Sequence, residues 1–167
     1  MMERRQICCF SGHRDLSGAG PGLALRLEAA VRRVIGDGVR YFGAGGAMGF
    51  DALAAHTVLR LKREYPGIRL ILVLPCRDQA AGWPAGKAAE YEGILQRADK
   101  VVWLADRYYK GCMHARNRYL VDHSGVCICY CRHAWGGTGY TVDYCARRGV
   151  KTINLAAENE LGVALRR

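Results

Sequence analysis

The sequence has no long apolar run and comparatively few residues of negative charge. No apolar stretch approaches the roughly 20 residues that span a bilayer, and the opening MMERRQICCF lacks the apolar core and cleavage site of a signal peptide. Asp and Glu number 15 against 25 Lys and Arg, which gives a formal net charge of +10. We therefore expect a cytoplasmic protein with no membrane partner, whose ligand is anionic: a phosphate-bearing small molecule or a nucleic acid.

Several motifs that would indicate a known chemistry are also missing. There is no G-K-[ST] of a P-loop, no G-x-S-x-G, no H-E-x-x-H and no C-x-x-C pair. Among the eight cysteines, Cys127, Cys129 and Cys131 alternate along one face of a predicted strand, where reduced thiols behave as small buried hydrophobes. The sequence therefore predicts neither a metal site nor a disulfide framework.

Short apolar runs alternate with amphipathic stretches along the whole chain. The runs are too short for helices and continuously apolar, which is typical of strands buried on both faces of a parallel sheet; they lie at 6–10, 39–43, 69–74, 100–104, 126–131 and 151–155. Helical periodicity fills the gaps between them. This alternation predicts a single α/β domain over 1–167, a Rossmann-like, doubly wound, mostly parallel sheet of about six strands with helices on both faces.

Unusual residues follow the predicted strands rather than precede them. The segments SGHRD, GAGGAMGFD, PCRDQ and RHAWGGTGYT come directly after four strands, whereas the segments leading into strands are plain turns. Ligands of open parallel sheets bind beyond the carboxyl ends of the strands, where helix N-termini point free N–H groups. We expect the binding site at that edge. Ordinary NAD hydride chemistry is not expected, because the strand ending at Pro75 lacks the acidic residue of a dinucleotide fingerprint.

The segment 43–51 is the most glycine-rich part of the chain. Glycines at this position let a phosphate approach the backbone N–H groups, and the helix dipole favours the anion; they are Gly43, Gly45, Gly46 and Gly49, with Met48 among them and Asp51 at the helix start. A tight turn with close helix packing would need only one or two glycines. The pattern predicts a phosphate-binding loop.

A second glycine turn, at Gly136, Gly137 and Thr138, also joins a strand to a helix. It is expected to contact the other end of the same ligand, although Thr138 would equally serve as a helix cap. Trp135 directly before it either packs against the protein or covers a bound base. His133 has no ligand spacing and is interpreted as a surface or helix residue.

Two basic side chains are candidates for holding the anion. Arg116 and its neighbour Asn117 lie one helical turn from Met113 and Leu120, so the guanidinium either reaches solvent or points into the cleft, where its fork suits a phosphate. Arg14 follows the first strand, where it either contacts an anion or belongs to a solvated turn.

The motifs CCFSGHR, GAGGAMGFDALAA, LILVLPCRDQ, YYKGCMHARNRYLVDHS and GGTGYTV, in this order over about residues 7–155, resemble the YpsA-type branch of the SLOG superfamily. The superfamily includes the DNA-processing protein DprA and the LOG phosphoribohydrolases. The resemblance implies a Rossmann-like fold that binds or senses a nucleotide or its derivative, with NAD, ADP-ribose or a nucleoside monophosphate as candidates, and a homo-oligomer is possible. Together with the patterns above it marks as ligand-binding Ser11, Gly12, His13, Arg14, Gly45, Gly46, Met48, Gly49, Asp51, Pro75, Arg116, Asn117, Gly136, Gly137 and Thr138.

Two alternatives to simple binding follow from the same resemblance. In LOG enzymes an arginine, matched by Arg116, and a glutamate are associated with cleavage of a nucleoside monophosphate; here Asp143 replaces the glutamate, and this shorter carboxylate leaves hydrolysis as the second hypothesis. The third is binding of single-stranded DNA, as in DprA. The net charge agrees with it, but no groove of alternating basic and aromatic residues is visible in the sequence.

Overall fold

The structure, a computed structural model, describes residues 2–156. The ends of the predicted 1–167 domain, residues 1 and 157–167, lie outside the described residues. Within the described range the elements are, in chain order, β1 (Ile7–Gly12), α1 (Leu23–Gly36), β2 (Tyr41–Ala44), α2 (Phe50–Leu61), β3 (Arg69–Leu74), α3 (Ala85–Arg97), β4 (Lys100–Trp103), α4 (Cys112–Asp122), β5 (Val126–Tyr130), α5 (Gly136–Arg148) and β6 (Lys151–Asn154).

The strands form one parallel sheet in the order β4-β3-β2-β1-β5-β6. Every neighbouring pair is parallel, which requires each connection to cross over the sheet, and the helices make these crossovers. The predicted Rossmann-like α/β architecture is confirmed. The chain moves outward in one direction from β1 to β4 and then returns to the other side of β1 with β5. The sheet therefore has its topological switch point between β1 and β5.

β1 is two residues longer at its carboxyl end than the sequence predicts. Ser11 and Gly12 continue the ladder because they pair with Cys129 and Tyr130 of β5. This extension carries the polar residues after β1 directly to the switch point. β3 covers the predicted 69–74.

Each face of the sheet has its own buried core. Helices α1, α2 and α3 cover one face, where the rings of Phe10, Phe42 and Phe50 pack together, with centroids 5.9 Å apart for Phe10 and Phe42. Helices α4 and α5 cover the other face, whose core contains the alternating Cys127, Cys129 and Cys131 as predicted, together with Cys9 and Cys145. All eight cysteines are free thiols. Among residues 2–156, no helix has the length and apolar character needed to cross a bilayer.

Candidate functional site

A cavity of about 230 Å³ lies at the switch point, beyond the carboxyl ends of β1 and β5. Four segments meet there: the end of β1, the start of α2, one face of α4 and the turn that begins α5. The lining residues are Phe10, Ser11, Gly12, His13, Arg14, Ala47, Asp51, Met113, Arg116, Asn117, His133, Trp135, Gly136, Gly137 and Thr138. Both glycine-rich turns therefore lie at the same edge of the sheet.

The N-terminus of α5 is open toward this cavity. Gly136 has a φ of +84°, and a methyl group added at Gly137 would meet no atom within 4 Å. No side chain caps the helix at Trp135. The first N–H groups of α5 are thus left without an intrahelical partner and carry the positive end of the helix dipole. This is the arrangement in which helices bind phosphate or carboxylate groups.

The space beside each glycine of 43–49, by contrast, is filled by other parts of the protein. A methyl group at any of them would overlap a part of the protein itself: the Leu120 side chain at Gly43, the Arg116 guanidinium at Gly45, the Leu74 side chain at Gly46 and the Arg14 carbonyl at Gly49. These glycines make room for helix packing, for a buried arginine and for the chain after β1. The expected phosphate-binding loop thus contributes only Ala47 and Asp51 to the cavity.

The N-terminus of α2 is also bonded within the protein. The Phe50 N–H donates to the carbonyl of His13 at 3.1 Å, and the Ala47 N–H donates to Asp51 Oδ2 at 3.2 Å. Asp51 is 6% exposed, and this burial raises the pKa of its carboxyl group, while Arg116 and the Ala47 N–H oppose the rise. An anion at α2 would have to displace these contacts and approach a carboxylate.

Arg116 is held rigidly beside the cavity instead of reaching into solvent. Its side chain is 5% exposed; Nη1 donates to the carbonyl of Gly45, and Nε donates to Asn117 Oδ1 at 2.7 Å. Burial lowers the pKa of Arg116 and the nearby Asp51 raises it, but a guanidinium stays protonated at any ordinary pH. Among residues 2–156, no carboxylate lies within 4 Å of either Arg116 or Arg14.

A row of aromatic rings forms one wall of the cavity. The His13 ring lies 4.6 Å from that of His133, which stacks on Trp135 at 4.0 Å with an interplanar angle of 8°. His13 Nε2 accepts the Arg132 N–H at 2.9 Å, and burial, together with His133 and Arg132, lowers the pKa of His13 to about 4, so the ring is neutral. Trp135, at the rim, is 68% exposed. His133, which the sequence indicates to be a surface or helix residue, is partly exposed in the turn before α5 and lines the cavity between these rings.

The cavity brings together most of the ligand-binding residues predicted from the sequence, from Ser11 to Arg14, Asp51, Arg116, Asn117 and 136–138. It does not include Gly45, Gly46, Met48, Gly49 or Pro75. Phe10 and Met113 were missed because apolar side chains in regular elements look like core residues, and Ala47 was missed because it is a small apolar residue in the turn between β2 and α2. For Trp135 the sequence allows both packing and base stacking, and the structure places it at the cavity rim against His133. His133 had a usable signal in its position between a strand and a glycine turn.

Asp143, the carboxylate considered for hydrolysis, lies outside the cavity. Its side chain is 69% exposed on α5 and pairs with Arg147 at 3.0 Å. Asp51 is the one carboxylate among the residues that line the cavity.

Relatives of this chain are found in bacteria. The chain is 31% identical over 124 residues to the UPF0398 protein BH1768 of Halalkalibacterium halodurans, which is 72% of this chain and 66% of that protein. It is 26% identical over 138 residues to the UPF0398 protein BBR47_29830 of Brevibacillus brevis, or 78% and 73% of the two lengths. The chain thus spans about two thirds of the length of its first relative.

Two solved structures of DNA processing protein A share the fold. The protein from Helicobacter pylori, described for its single-stranded DNA binding mode, superposes with a TM-score of 0.63 at 18% identity, over 89% of this chain and 64% of that chain. The protein from Streptococcus pneumoniae gives 0.59 at 17% identity, over 87% and 48%. A family model, YpsA, described as the YspA SLOG family, matches residues 22–151. This chain therefore belongs to the YpsA family of SLOG proteins.

Proposed function

We propose that this protein binds or senses a nucleotide or nucleotide-derived ligand in the switch-point cavity, with the phosphate at the N-terminus of α5. The observation that carries the proposal is the pairing of an open helix N-terminus at Gly136 and Gly137 with two arginines that have no carboxylate partner among the described residues. The proposed phosphate site is therefore the second glycine turn and not the segment 43–51, where the protein's own groups fill the space.

The charges of the cavity favour a phosphate with a net negative charge. Arg14 and Arg116 contribute two positive charges, and Asp51 is the one acidic residue that lines the cavity. Burial raises the pKa of Asp51 and so disfavours its negative charge. A hydrogen bond to a charged group contributes roughly 1.5–3 kcal/mol. Two or three such bonds, with the contacts of the sugar, correspond to micromolar binding, for which about 8 kcal/mol is needed.

The size of the cavity limits which part of a nucleotide it encloses. Its volume of about 230 Å³ is below the roughly 300–1,000 Å³ of pockets that bury a whole drug-sized ligand. A phosphate and a ribose are the parts that such a volume suits, with the base outside, against the exposed face of Trp135. NAD or ADP-ribose would extend their second half into solvent, so we expect a mononucleotide unit to carry most of the affinity.

Binding or sensing is favoured over hydrolysis of the glycosidic bond. A LOG-like phosphoribohydrolase remains the weaker alternative, because Asp143 faces solvent and the remaining carboxylate, Asp51, is bonded to the Ala47 N–H. The cytoplasm suits a chain whose eight cysteines are all free, and this location is part of the proposal.

Isothermal titration calorimetry with a graded set of ligands tests the proposal. We expect AMP and ribose 5-phosphate to bind, and adenosine, which lacks the phosphate, to bind at least tenfold more weakly. Arg14→Gln should weaken AMP binding about tenfold, in line with the loss of one charged hydrogen bond. Arg63→Gln removes the same charge from an exposed arginine in the turn after α2, at the opposite end of that helix from Asp51, and should have no effect. Equal affinity for adenosine and AMP would overturn the assignment.

A further inference from the structure

Asp51 is a buried carboxylate of the switch-point cavity that the proposed phosphate site does not use. It lies in the first turn of α2 and is 6% exposed. Its Oδ2 accepts the Ala47 N–H at 3.2 Å, whereas no group within residues 2–156 donates a hydrogen bond to Oδ1. Oδ1 is not sealed inside the protein but keeps contact with the cavity. A carboxylate at this depth ordinarily has several donors, because removing its charge from water is costly.

Helix capping does not explain this carboxylate. An acidic side chain at the start of a helix commonly accepts one of the first helical N–H groups. Here no side chain caps α2, and the N–H that Asp51 accepts belongs to Ala47, before the helix begins. The helix dipole favours a negative charge in the first turn but does not require that it be buried. Helices α1, α3, α4 and α5 have no acidic residue in their first turn, so helices of this fold form without one.

The two arginines of the cavity do not contact Asp51 either. Burial raises the pKa of the Asp51 carboxyl group, and Arg116 and Arg14 oppose the rise through space. In the described part of the chain, however, no cation lies within 4 Å of Asp51. Arg116 instead donates to the Gly45 carbonyl and to Asn117 Oδ1. The free oxygen of Asp51 is therefore available to a ligand.

The group that contacts this oxygen must be a hydrogen-bond donor. A phosphate is unsuitable, because near pH 7 it carries a charge of about −1.5 to −2 and presents mainly acceptors. The hydroxyls of a ribose are donors, and a ribose fits with a phosphate into about 230 Å³. A carboxylate has about four acceptor positions, of which Ala47 uses one. Acidic side chains bind ribose hydroxyls in other parallel α/β folds, so the chemistry is well suited to this position.

We infer that Asp51 binds the ribose hydroxyls, and that the cavity selects nucleotides with a free ribose diol over nucleotides that lack it. The inference rests on the proposed function and assigns the two parts of the ligand to two walls: the phosphate to the start of α5 and the sugar to the start of α2. A deoxyribonucleotide lacks one of the donors. A nucleotide inside a nucleic-acid strand has an esterified 3′ oxygen, so a strand is disfavoured as the occupant of this cavity.

The neutral hydroxyls of the cavity cannot make the same distinction as strongly. Ser11 and Thr138 are buried and line the cavity, and each can donate or accept a hydrogen bond. Hydrogen bonds to an ionised group are about twice as strong as those between neutral groups. An absent ribose hydroxyl therefore costs most at Asp51, where it leaves a buried charge without a donor.

Isothermal titration calorimetry with AMP and 2′,3′-dideoxy-AMP tests the inference. The second ligand keeps the phosphate and the base but lacks both donors. We expect AMP to bind about tenfold more tightly or better, because a site built to bind a hydroxyl rejects the analogue without it. Equal affinities would overturn the inference, and the proposed function would stand if adenosine still bound more weakly than AMP. If no phosphorylated ligand bound, both would fall.

The variant Asp51→Asn separates recognition of the sugar from a structural role. It keeps the size of the side chain and an acceptor for the Ala47 N–H, but turns an amide NH₂ toward the cavity. We expect the preference for AMP over the dideoxy ligand to shrink to about threefold or less, since the charged acceptor is gone. The dideoxy ligand should bind at least as tightly as it does to the wild type, because a negative charge near the phosphate has been removed.

Asp37→Asn is the control that removes the same charge elsewhere. Asp37 is exposed at the end of α1 and does not line the cavity, so the preference for AMP should stay unchanged. A structural role of Asp51 would weaken both ligands equally in Asp51→Asn and keep their ratio, which would refute the inference. Thermal unfolding shows whether each variant is folded. If Asp51→Asn is not, the comparison of the two ligands on the wild-type protein decides.

Discussion

The glycine turns 43–49 and 136–138 have equivalent places between a strand and a helix, yet they differ in what lies against them. At Gly45 and Gly49 the nearest atoms belong to Arg116 and to the backbone of Arg14, whereas the space at Gly137 is empty. The first turn holds the protein together around the cavity, and the second leaves a helix N-terminus free. A glycine-rich turn thus indicates close approach, but the approaching group can be the protein itself.

The largest expected effect is on stability at Gly49. Gly49→Ala places a methyl group against the carbonyl of Arg14, at a φ of +77° that alanine rarely adopts. Because neither backbone can move without breaking the Phe50–His13 hydrogen bond, we expect a loss of at least about 3 kcal/mol in the free energy of unfolding. Urea denaturation measures it. Gly137→Ala is the matched control and should change stability by less than about 0.5 kcal/mol; similar losses in both would show that the two turns are equivalent.

A smaller effect is expected at Gly45, where a side chain rather than the backbone must move. Gly45→Ala displaces the Arg116 guanidinium from the Gly45 carbonyl, and losing a charged hydrogen bond costs about 1.5–3 kcal/mol. AMP binding should weaken in the same variant. Adding Arg116→Gln to Gly45→Ala should then cost little more, because both changes disrupt one interaction. Fully additive losses would contradict the contact.

The pH dependence of stability tests the role of His13, which is bonded to Phe50 at the start of α2 and to Arg132 before the second turn. His13 accepts the Arg132 N–H through Nε2, while its carbonyl accepts the Phe50 N–H. Its pKa is about 4 in the folded protein and about 6.5 in the unfolded chain. The unfolded chain therefore binds more protons between these values, so this stabilisation is present above pH 6.5 and is lost as the pH falls toward 4.

Urea denaturation from pH 7.5 to 4.5 measures that loss. Because His13 is only partly buried, solvent screening limits the expected contribution to about 1–2 kcal/mol. The slope should become shallower in His13→Gln, which keeps a hydrogen-bond acceptor but does not titrate. An unchanged slope in this variant would assign the pH dependence to other groups.

The smallest expected effect is on binding at the open turn. Gly137→Ala places a methyl group over the first N–H groups of α5 and should weaken AMP binding about fivefold, or about 1 kcal/mol, at unchanged stability. Gly86→Ala, in the first turn of α3 where a methyl group also meets nothing within 4 Å, is the matched control. Calorimetry measures AMP binding by both variants. Equal affinities would contradict a special role of the N-terminus of α5.

Most of the fold and part of the candidate site could be predicted before the structure was known. Short apolar runs such as RLILVL and the amphipathic stretches between them determine strands and helices locally, so the parallel sheet followed from their alternation. Gly137 follows a strand and lies at the cavity edge that the sequence predicts, whereas for Arg14 and Arg116 the sequence allows both solvent and cleft, and only the structure shows that they line the cavity. The exposure of Asp143, outside the cavity, was not predictable from spacing. The direction of its side chain depends on how α5 is rotated against α4.

The sequence by itself determined the elements, their parallel arrangement and the edge of the sheet at which polar residues collect, because periodicity and strand length are local properties of the chain. Only the tertiary structure decided which glycine turn is filled and which is open, since that depends on residues far apart, such as Arg116 and Gly45. It likewise brought Arg118 of α4 against Tyr140 of α5, a surface that has no continuous trace in the sequence because helix packing assembles it from two segments.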